Sequence, residues 1–301
     1  MRAARYHSYG PPDVLVVEAA PEPHAGENSI RIAVRAASVN QIDVLLRAGQ
    51  LAQVLPLDLP AVPGMDAVGV VDEVGPGVTD TEVGDVVFGL GGRVSDTTAE
   101  FAILTAWSPV PERWTTAQAA AAGLAGATAA TAIEALGDLR GATILIEGAS
   151  GAVGSAAAAF ALAAGATVIG TGSRSSFTKL EAMGVLPTTY GPGLVERVAA
   201  LAPNGVDAAL HSAPSNSLPD IVAIVGNATR VVTVLGAQAD APPGATSVTA
   251  RHDSALLRDA AALGQAGLWT PRADREFPIA DIIDAHTAAE SNNGKVVITL
   301  P

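Results

Sequence analysis

Cysteine is absent from all 301 residues. That removes disulfides, thiol nucleophiles and every cysteine-ligated zinc or iron–sulfur site. It fits a reducing compartment. Positive charge is scarce as well: 17 Lys and Arg stand against 30 Asp and Glu, a formal net charge of -13. So acidic a surface repels phosphate backbones, and neither nucleic acid nor an anionic membrane is an expected partner. An anionic small molecule can still bind locally, through backbone amides and a few arginines. Charged residues are only 16% of the chain and hydrophobic ones 49%, which suits a large buried core and not global disorder. The first residues, "MRAARYHSYGPPDVL", lack the apolar stretch of a secretory leader. Two uncharged runs, 117–133 and 155–171, are rich in Ala and Gly. They read as buried helices and not as membrane spans. The expectation is a soluble, cytoplasmic protein whose length suits two domains.

The first third reads as β. "SIRIAVRAASV" from Ser29 alternates like a strand, and "AVGVVDEVGPGV" and "GDVVFGL" are short apolar runs broken by Gly and Pro. Such runs suit a closed, irregular β-domain. Between them Val39, Ile42, Leu45 and Leu46 fall at helical spacing, with Gly49 as a stop. The texture changes near Pro111. "TTAQAAAAGLAGATAATAIEALG" predicts two helices with a Gly-marked turn, and strand and helix then alternate. Fully apolar strands separated by helices indicate a parallel sheet covered on both faces. Near the end, "SALLRDAAALGQAGLW" and "FPIADIIDAHTAAES" read as helices and "GKVVITL" as a strand. This tail is expected to pack back on the N-terminal β-domain.

"ILIEGASGAVGSAAAAF" holds the sequence's most informative glycines. The dinucleotide fingerprint is G-x-G-x-x-G between strand and helix. Ala149 takes the first glycine's place, Gly151 and Gly154 the others, and Gly148 adds freedom one step earlier. With Ser150, Ala152 and Val153 they make a candidate cofactor turn. Gly151 would let backbone approach a pyrophosphate, Gly154 would let helix and strand pack closely, and the helix start would supply free N–H groups. The competing reading is chance, in a chain with 31 glycines. Strand before, helix after and a second strand one crossover later favour the turn. That second strand ends "GTGSRSS", with no acid for ribose hydroxyls. Thr171, Gly172, Ser173, Arg174 and, one turn on, Lys179 suit a 2′-phosphate, hence NADPH over NADH. The alternative is a solvated turn with a surface arginine.

Four stretches resemble the zinc-independent quinone oxidoreductases of the medium-chain dehydrogenase/reductase superfamily. They are "AASVNQIDVLLRAG", "PAVPGMDAVGVVDEVGPGVTDTEVGDVVFG", "EGASGAVGSAAAAFALAAGATVIGT" and "FPIADIIDAHTAAESNNGKVVITLP". The resemblance implies an α/β protein: a GroES-like irregular β-barrel catalytic domain, residues 1–112 and 251–301, and a Rossmann doubly wound NADP-binding domain, residues 113–250. It points to Asn40 and Asp43 as lining the cleft near the nicotinamide. Asn40 can donate through its amide to charge developing on an acceptor oxygen. Asp43 is expected to orient neighbours or pair with Arg47, four residues on, rather than act as an acid; a purely structural helix start is the other reading. Tyr9, in "YGPPDVL", either contacts substrate or packs as a surface tyrosine. Thr128 and Gly236 match segments that approach the cofactor.

Departures from the family pattern are as informative. Met65 stands where zinc-dependent relatives carry a histidine, and Met65 with Asp66 cannot make a zinc site alone. Leu45 replaces a frequent tyrosine. His211 stands where an aspartate is usual, and Ala213-Pro214 where two glycines are usual; a lone histidine there is more often structural than a base. Asn293 replaces a frequent basic residue. The segment 237–251 is short where relatives often dimerise, which leaves a homodimer open. The leading expectation is an NADPH-dependent reductase of quinones or other α,β-unsaturated carbonyls, without metal. An enoyl-thioester reductase and a catalytically idle NADPH-binding sensor or partner protein are the alternatives.

Overall fold

The computed structural model describes residues 1–92, 96–236, 243–291 and 294–301. In chain order these form β1 (Arg2–Tyr6), β2 (Leu15–Ala19), β3 (Ile30–Val39), α1 (Gln41–Arg47), β4 (Asp66–Val74), β5 (Val86–Leu90), β6 (Phe101–Leu104), β7 (Ala106–Pro109), α2 (Thr116–Ala120) and α3 (Gly123–Leu136). There follow β8 (Thr143–Glu147), α4 (Ala152–Ala163), β9 (Thr167–Thr171), α5 (Phe177–Ala182), β10 (Leu186–Thr188), α6 (Leu194–Leu201), β11 (Ala208–His211), α7 (Leu218–Val225), β12 (Val231–Thr233) and β13 (Thr246–Ser247). The last are α8 (Ser254–Gln265), β14 (Arg275–Pro278), α9 (Ile282–Glu290) and β15 (Val296–Thr299). The chain divides into two compact units: Met1–Leu124 with His252–Gln265 and Thr270–Pro301, and Ala125–Arg251 with Ala266–Trp269.

In the first unit β3 organises the sheet. One edge pairs antiparallel with β4; the other pairs with β6 at its start and β15 at its end. Register shifts at Arg31/Ile32 and Val34/Ala36 bend the strand, as bulges do. That curvature lets ten residues serve three neighbours. The C-terminal tail thus joins the N-terminal sheet, with Val296 opposite Val39. Tyr6, Leu15, Val39, Val44, Ile282 and Ile298 meet in one apolar core, so α1 and α9 are held by burial of their inner faces. One expectation is corrected here. "FPIADIIDAHTAAES" is not helical from its start: Phe277 and Pro278 end β14, parallel to β15, and the α-helix begins at Ile282. Pro278 lies extended at φ -65 and ψ 152 and cannot donate a helical hydrogen bond.

The second unit is a sheet in the order β10-β9-β8-β11-β12-β13, every pair parallel. Counted from its first strand this is the doubly wound order 3-2-1-4-5-6, whose topological switch lies between β8 and β11. Ile144, Leu145 and Ile146 are fully buried, as a strand covered on both faces demands. The alanines of α4 let the helix lie close to the sheet, and residues Ala156 to Ala159 are buried. β13 is an edge strand of two exposed residues. The segment 237–251 was singled out as short; residues 237–242 of it lie outside the described residues, as does Asn293. Among the described residues no helix is long and apolar enough to cross a membrane.

Candidate active site

Asn40 ends β3 and caps α1, with extended φ -107 and ψ 161. Its backbone N–H donates to Asp43 Oδ2 at 2.8 Å, the carboxylate reaching back as the third helical residue. The helix start thereby brings Asn40 and Asp43 together, and tertiary structure adds partners from far along the chain. The Asn40 amide donates to Asp66 Oδ1 at 2.9 Å, and at 3.3 Å to both Ser38 Oγ and Asp43 Oδ2. Ser38 Oγ donates to the same Asp66 oxygen, and the Leu124 N–H donates to Asp66 Oδ2 at 2.8 Å. Lys295, at the start of the final strand, donates to Asn40 Oδ1 and, at 3.2 Å, to the Val39 carbonyl.

Two carboxylates and one ammonium are therefore buried around one amide: Asp66 is 0% exposed, Asp43 2% and Lys295 9%. Burial pushes Asp43 up to about 7; the charge of Asp66 adds to this, while the Asn40 N–H and Lys295 oppose it. Lys295 is held below the usual lysine range by burial, against the pull of Asp66 and Asp43. Asp43 Oδ1 has no hydrogen-bond partner among the described residues. Since Oδ2 accepts the Asn40 N–H, the proton of neutral Asp43 belongs on Oδ1.

The expected Asp43–Arg47 pair is not formed. Arg47 is fully buried and pairs with Glu290 on α9. Asp43 is drawn back to the helix start, where a backbone donor and Lys295 compete for it. His286, one turn before Glu290, is buried with both ring nitrogens unpartnered among the described residues. Burial, with Arg47 beside it, pushes it down to about 3. Tyr9 is not bonded to this cluster: its hydroxyl accepts from the Leu57 N–H at 3.1 Å, and its ring lies over Gly49.

The second unit carries the expected cofactor residues. Gly148 adopts φ +80, and a side chain there would meet Ala213 and Ser212. A Cβ on Gly154 would overlap the Gly148 carbonyl, so only glycine lets α4 start this close to β8. Gly151 caps α4, and a Cβ there meets only the Gly148 oxygen, at 3.1 Å. Its open side leaves room for a ligand to reach the backbone. Ala149 is fully buried, its methyl group against Gly170 on β9. The missing glycine is thus matched by a glycine on the neighbouring strand. Ala152 and Val153 form the first turn of α4, and Ser150 packs against Gly172. Thr171 is buried and its hydroxyl accepts from the Gly148 N–H at 2.9 Å, bracing the turn. Ser173 bonds the hydroxyls of Ser175 and Ser176. Arg174 and Lys179 are exposed, with no ion-pair partner among the described residues. Thr128 is nearly buried on α3, and Gly236 follows β12 with φ +78.

Two participants escaped sequence reading: Lys295 and Ser38. Each had a faint signal, being polar at the end of an apolar strand. The described residues offer no site that fits a zinc ion. Met65 is buried, Asp66 accepts from Ser38, Asn40 and Leu124, and no three His, Asp or Glu side chains converge among the described residues.

Residues 26–108 match the alcohol dehydrogenase GroES-like domain. Rat quinone oxidoreductase is 28% identical over 323 residues, spanning 98% of this chain and 96% of its own. A segment of the pikromycin polyketide synthase component PikAII of Streptomyces venezuelae is 37% identical over 169 residues, covering 55% of this chain and 4% of that protein. A mycobacterial protein solved in complex with NADPH is similar at TM-score 0.81 and 26% identity, over 99% of this chain and 100% of its own. The two units are those of a medium-chain dehydrogenase/reductase, an α/β oxidoreductase with a GroES-like part and a Rossmann part. Within that superfamily the chain resembles the zinc-independent quinone oxidoreductases.

Proposed function

We propose that this protein is an NADPH-dependent reductase that transfers hydride to a quinone or another α,β-unsaturated carbonyl without a metal ion. The observation that carries the reading is the β8–α4 turn. Glycine is obligatory at Gly154, Gly151 is open to a ligand, and the start of a 12-residue helix faces the same place. Residues 113–250 would hold the cofactor. Gly148 to Gly154 would receive the pyrophosphate, with Thr128 and Gly236 nearer the nicotinamide. Arg174 and Lys179 would meet the 2′-phosphate, and no acid ends β9 to repel it. The mycobacterial relative's NADPH complex supports the same choice. The proposed setting is cytoplasmic and the partner a small carbonyl or quinone.

Bound NADPH supplies the hydride. The chain's own residues bind, orient and manage a proton. Asn40 Nδ2 has two protons and three acceptors, so an acceptor oxygen at this amide displaces the 3.3 Å contacts and leaves the 2.9 Å bond to Asp66. Lys295 on Oδ1 polarises the amide and fixes which end faces inward. Asp43, pushed up to about 7, is partly protonated at neutral pH and so can give a proton to the reduced product. Tyr9, tied to Leu57, would shape the entrance more than the chemistry.

Similarity to a polyketide synthase segment favours one second reading, an enoyl-thioester reductase. NADPH oxidation followed at 340 nm with 1,4-benzoquinone, a simple enone and a crotonyl thioester separates the two. Turnover of the thioester alone overturns the first reading. Cofactor binding with no turnover of any acceptor makes the protein an idle binder.

A further inference from the structure

Glu147 ends β8 and His211 ends β11, and they are register partners across the switch point of the sheet. Both side chains are buried, at 1% and 0% exposure. Neither belongs to the glycine turn or to the Asn40 cluster. Ser215 links the two side chains. His211 Nε2 bonds Ser215 Oγ at 3.4 Å, and since that hydroxyl spends its proton on Glu147 Oε1, the ring proton lies on Nε2; Glu147 Oε2 lies 3.3 Å from Nε2 without a hydrogen-bond partner among the described residues. His211 Nδ1 then accepts from Thr233 Oγ at 3.0 Å. That hydroxyl in turn accepts from the Leu235 N–H at 3.3 Å. On the other carboxylate oxygen, Ser215 Oγ donates at 2.7 Å and Ser217 Oγ donates as well. Burial holds His211 below the usual histidine range, against the pull of Glu147, so the neutral ring that this placement requires is the stable one.

The chain of bonds joins three loops, each following a different strand. Glu147 leads directly into the glycine turn. Ser215 and Ser217 lie in the loop after β11, and Ser212 Oγ of that loop donates to the Glu147 carbonyl at 2.6 Å. Leu235 leads into Gly236 after β12. In a doubly wound sheet a dinucleotide crosses this switch with its adenosine half over the second strand, here β9. The nicotinamide half then faces the loops after β11 and β12.

We propose that the Glu147–Ser215–His211–Thr233 chain, with Ser217, is a positioning device that sets these loops for the nicotinamide half of NADPH. This rests on the cofactor reading above. Buried hydrogen bonds of this kind hold the loops that carry them, and removing a link frees the loop beyond it.

The test is the dissociation constant for NADPH, from nucleotide fluorescence with the full chain, alongside the melting temperature. Thr233→Val keeps the shape and removes the hydroxyl; Ser217→Ala removes one donor to Glu147. Each should raise the constant about five- to twentyfold with melting within a few degrees of wild type. The loss should fall on KM for NADPH more than on kcat. Combined, the two should lose no more than about twice the worse single variant, because either break already frees the loops. His211→Gln, which can restore a donor toward Glu147, should recover affinity relative to His211→Leu. Folded variants with wild-type affinity, or losses that multiply in the double variant, overturn the proposal. A wild-type protein that binds neither NADPH nor NADH overturns the cofactor reading itself, a different and separately visible result.

Discussion

Around Asn40, two carboxylates share one ammonium. Around His211, one carboxylate faces one neutral imidazole and the hydroxyls that feed it. Both clusters are buried, and both sit at strand ends. In the first the charges do not balance, and Asp43 is left titrating near 7 with an orphan oxygen. In the second Glu147 Oε2 is likewise unpartnered among the described residues, but the hydroxyls supply the other carboxylate oxygen and His211 is held neutral. A cluster whose imidazole is held neutral by burial takes up no proton there. An unbalanced one exchanges a proton near neutral pH, which suits a site that must yield one.

The largest test of this contrast removes the ammonium. Lys295→Met leaves buried carboxylates uncompensated, and about 3–5 kcal/mol of stability should be lost. Lys295→Arg should recover part, and urea denaturation reads both. A loss under about 1 kcal/mol would mean that Lys295 does not hold the cluster.

Gly151→Leu touches neither cluster. It should weaken NADPH binding more than about hundredfold while the melting temperature stays near wild type. If affinity survives, the β8–α4 turn is only a turn, and the His211 network loses its proposed purpose.

The pH dependence separates the clusters further. Folded Asp43 holds a proton that the unfolded chain releases at ordinary carboxylate pH, so its contribution is full below about pH 4 and lost as pH rises through about 7. His286 acts oppositely: its folded value of about 3 gives a contribution that is full above the ordinary histidine range and lost as pH falls. The two slopes cancel across the window they share. Asp43→Asn should therefore unmask a rise in stability with pH of up to about 1.4 kcal/mol per unit between about pH 4 and 6. Denaturation at a series of pH values checks it; an unchanged slope would refute the shifted Asp43.

The smallest expected effect is at the surface. Arg174→Ala should weaken NADPH about tenfold and leave NADH unaffected, because an exposed cation acts on the 2′-phosphate alone. Equal losses for both cofactors would point to a structural role for Arg174 instead.

Much of the architecture was legible in local pattern. Apolar strands alternating with helices after Pro111 indicated the parallel sheet, and Gly148 to Gly154 announced the turn because strand and helix flank it. The stop at Gly49 and the helix after Asn40 followed from caps and spacing. Where local pattern misled, a distant partner was responsible. Phe277 and Pro278 fit a helical periodicity but were claimed as a strand by β15. Arg47 lies four residues from Asp43 yet pairs with Glu290 on α9.

The sequence by itself determined what chemistry is closed to this protein and where its glycines must sit. Absent thiols, an acidic surface and backbone conformations that only glycine reaches are local properties, readable residue by residue. Tertiary structure alone decided which polar groups share a buried space. Lys295 reaches Asn40 across 255 positions, and Ser215 reaches Glu147 across 68. Burial removes water as the partner of such groups, so their protonation and their strength depend on neighbours that only the folded chain assembles.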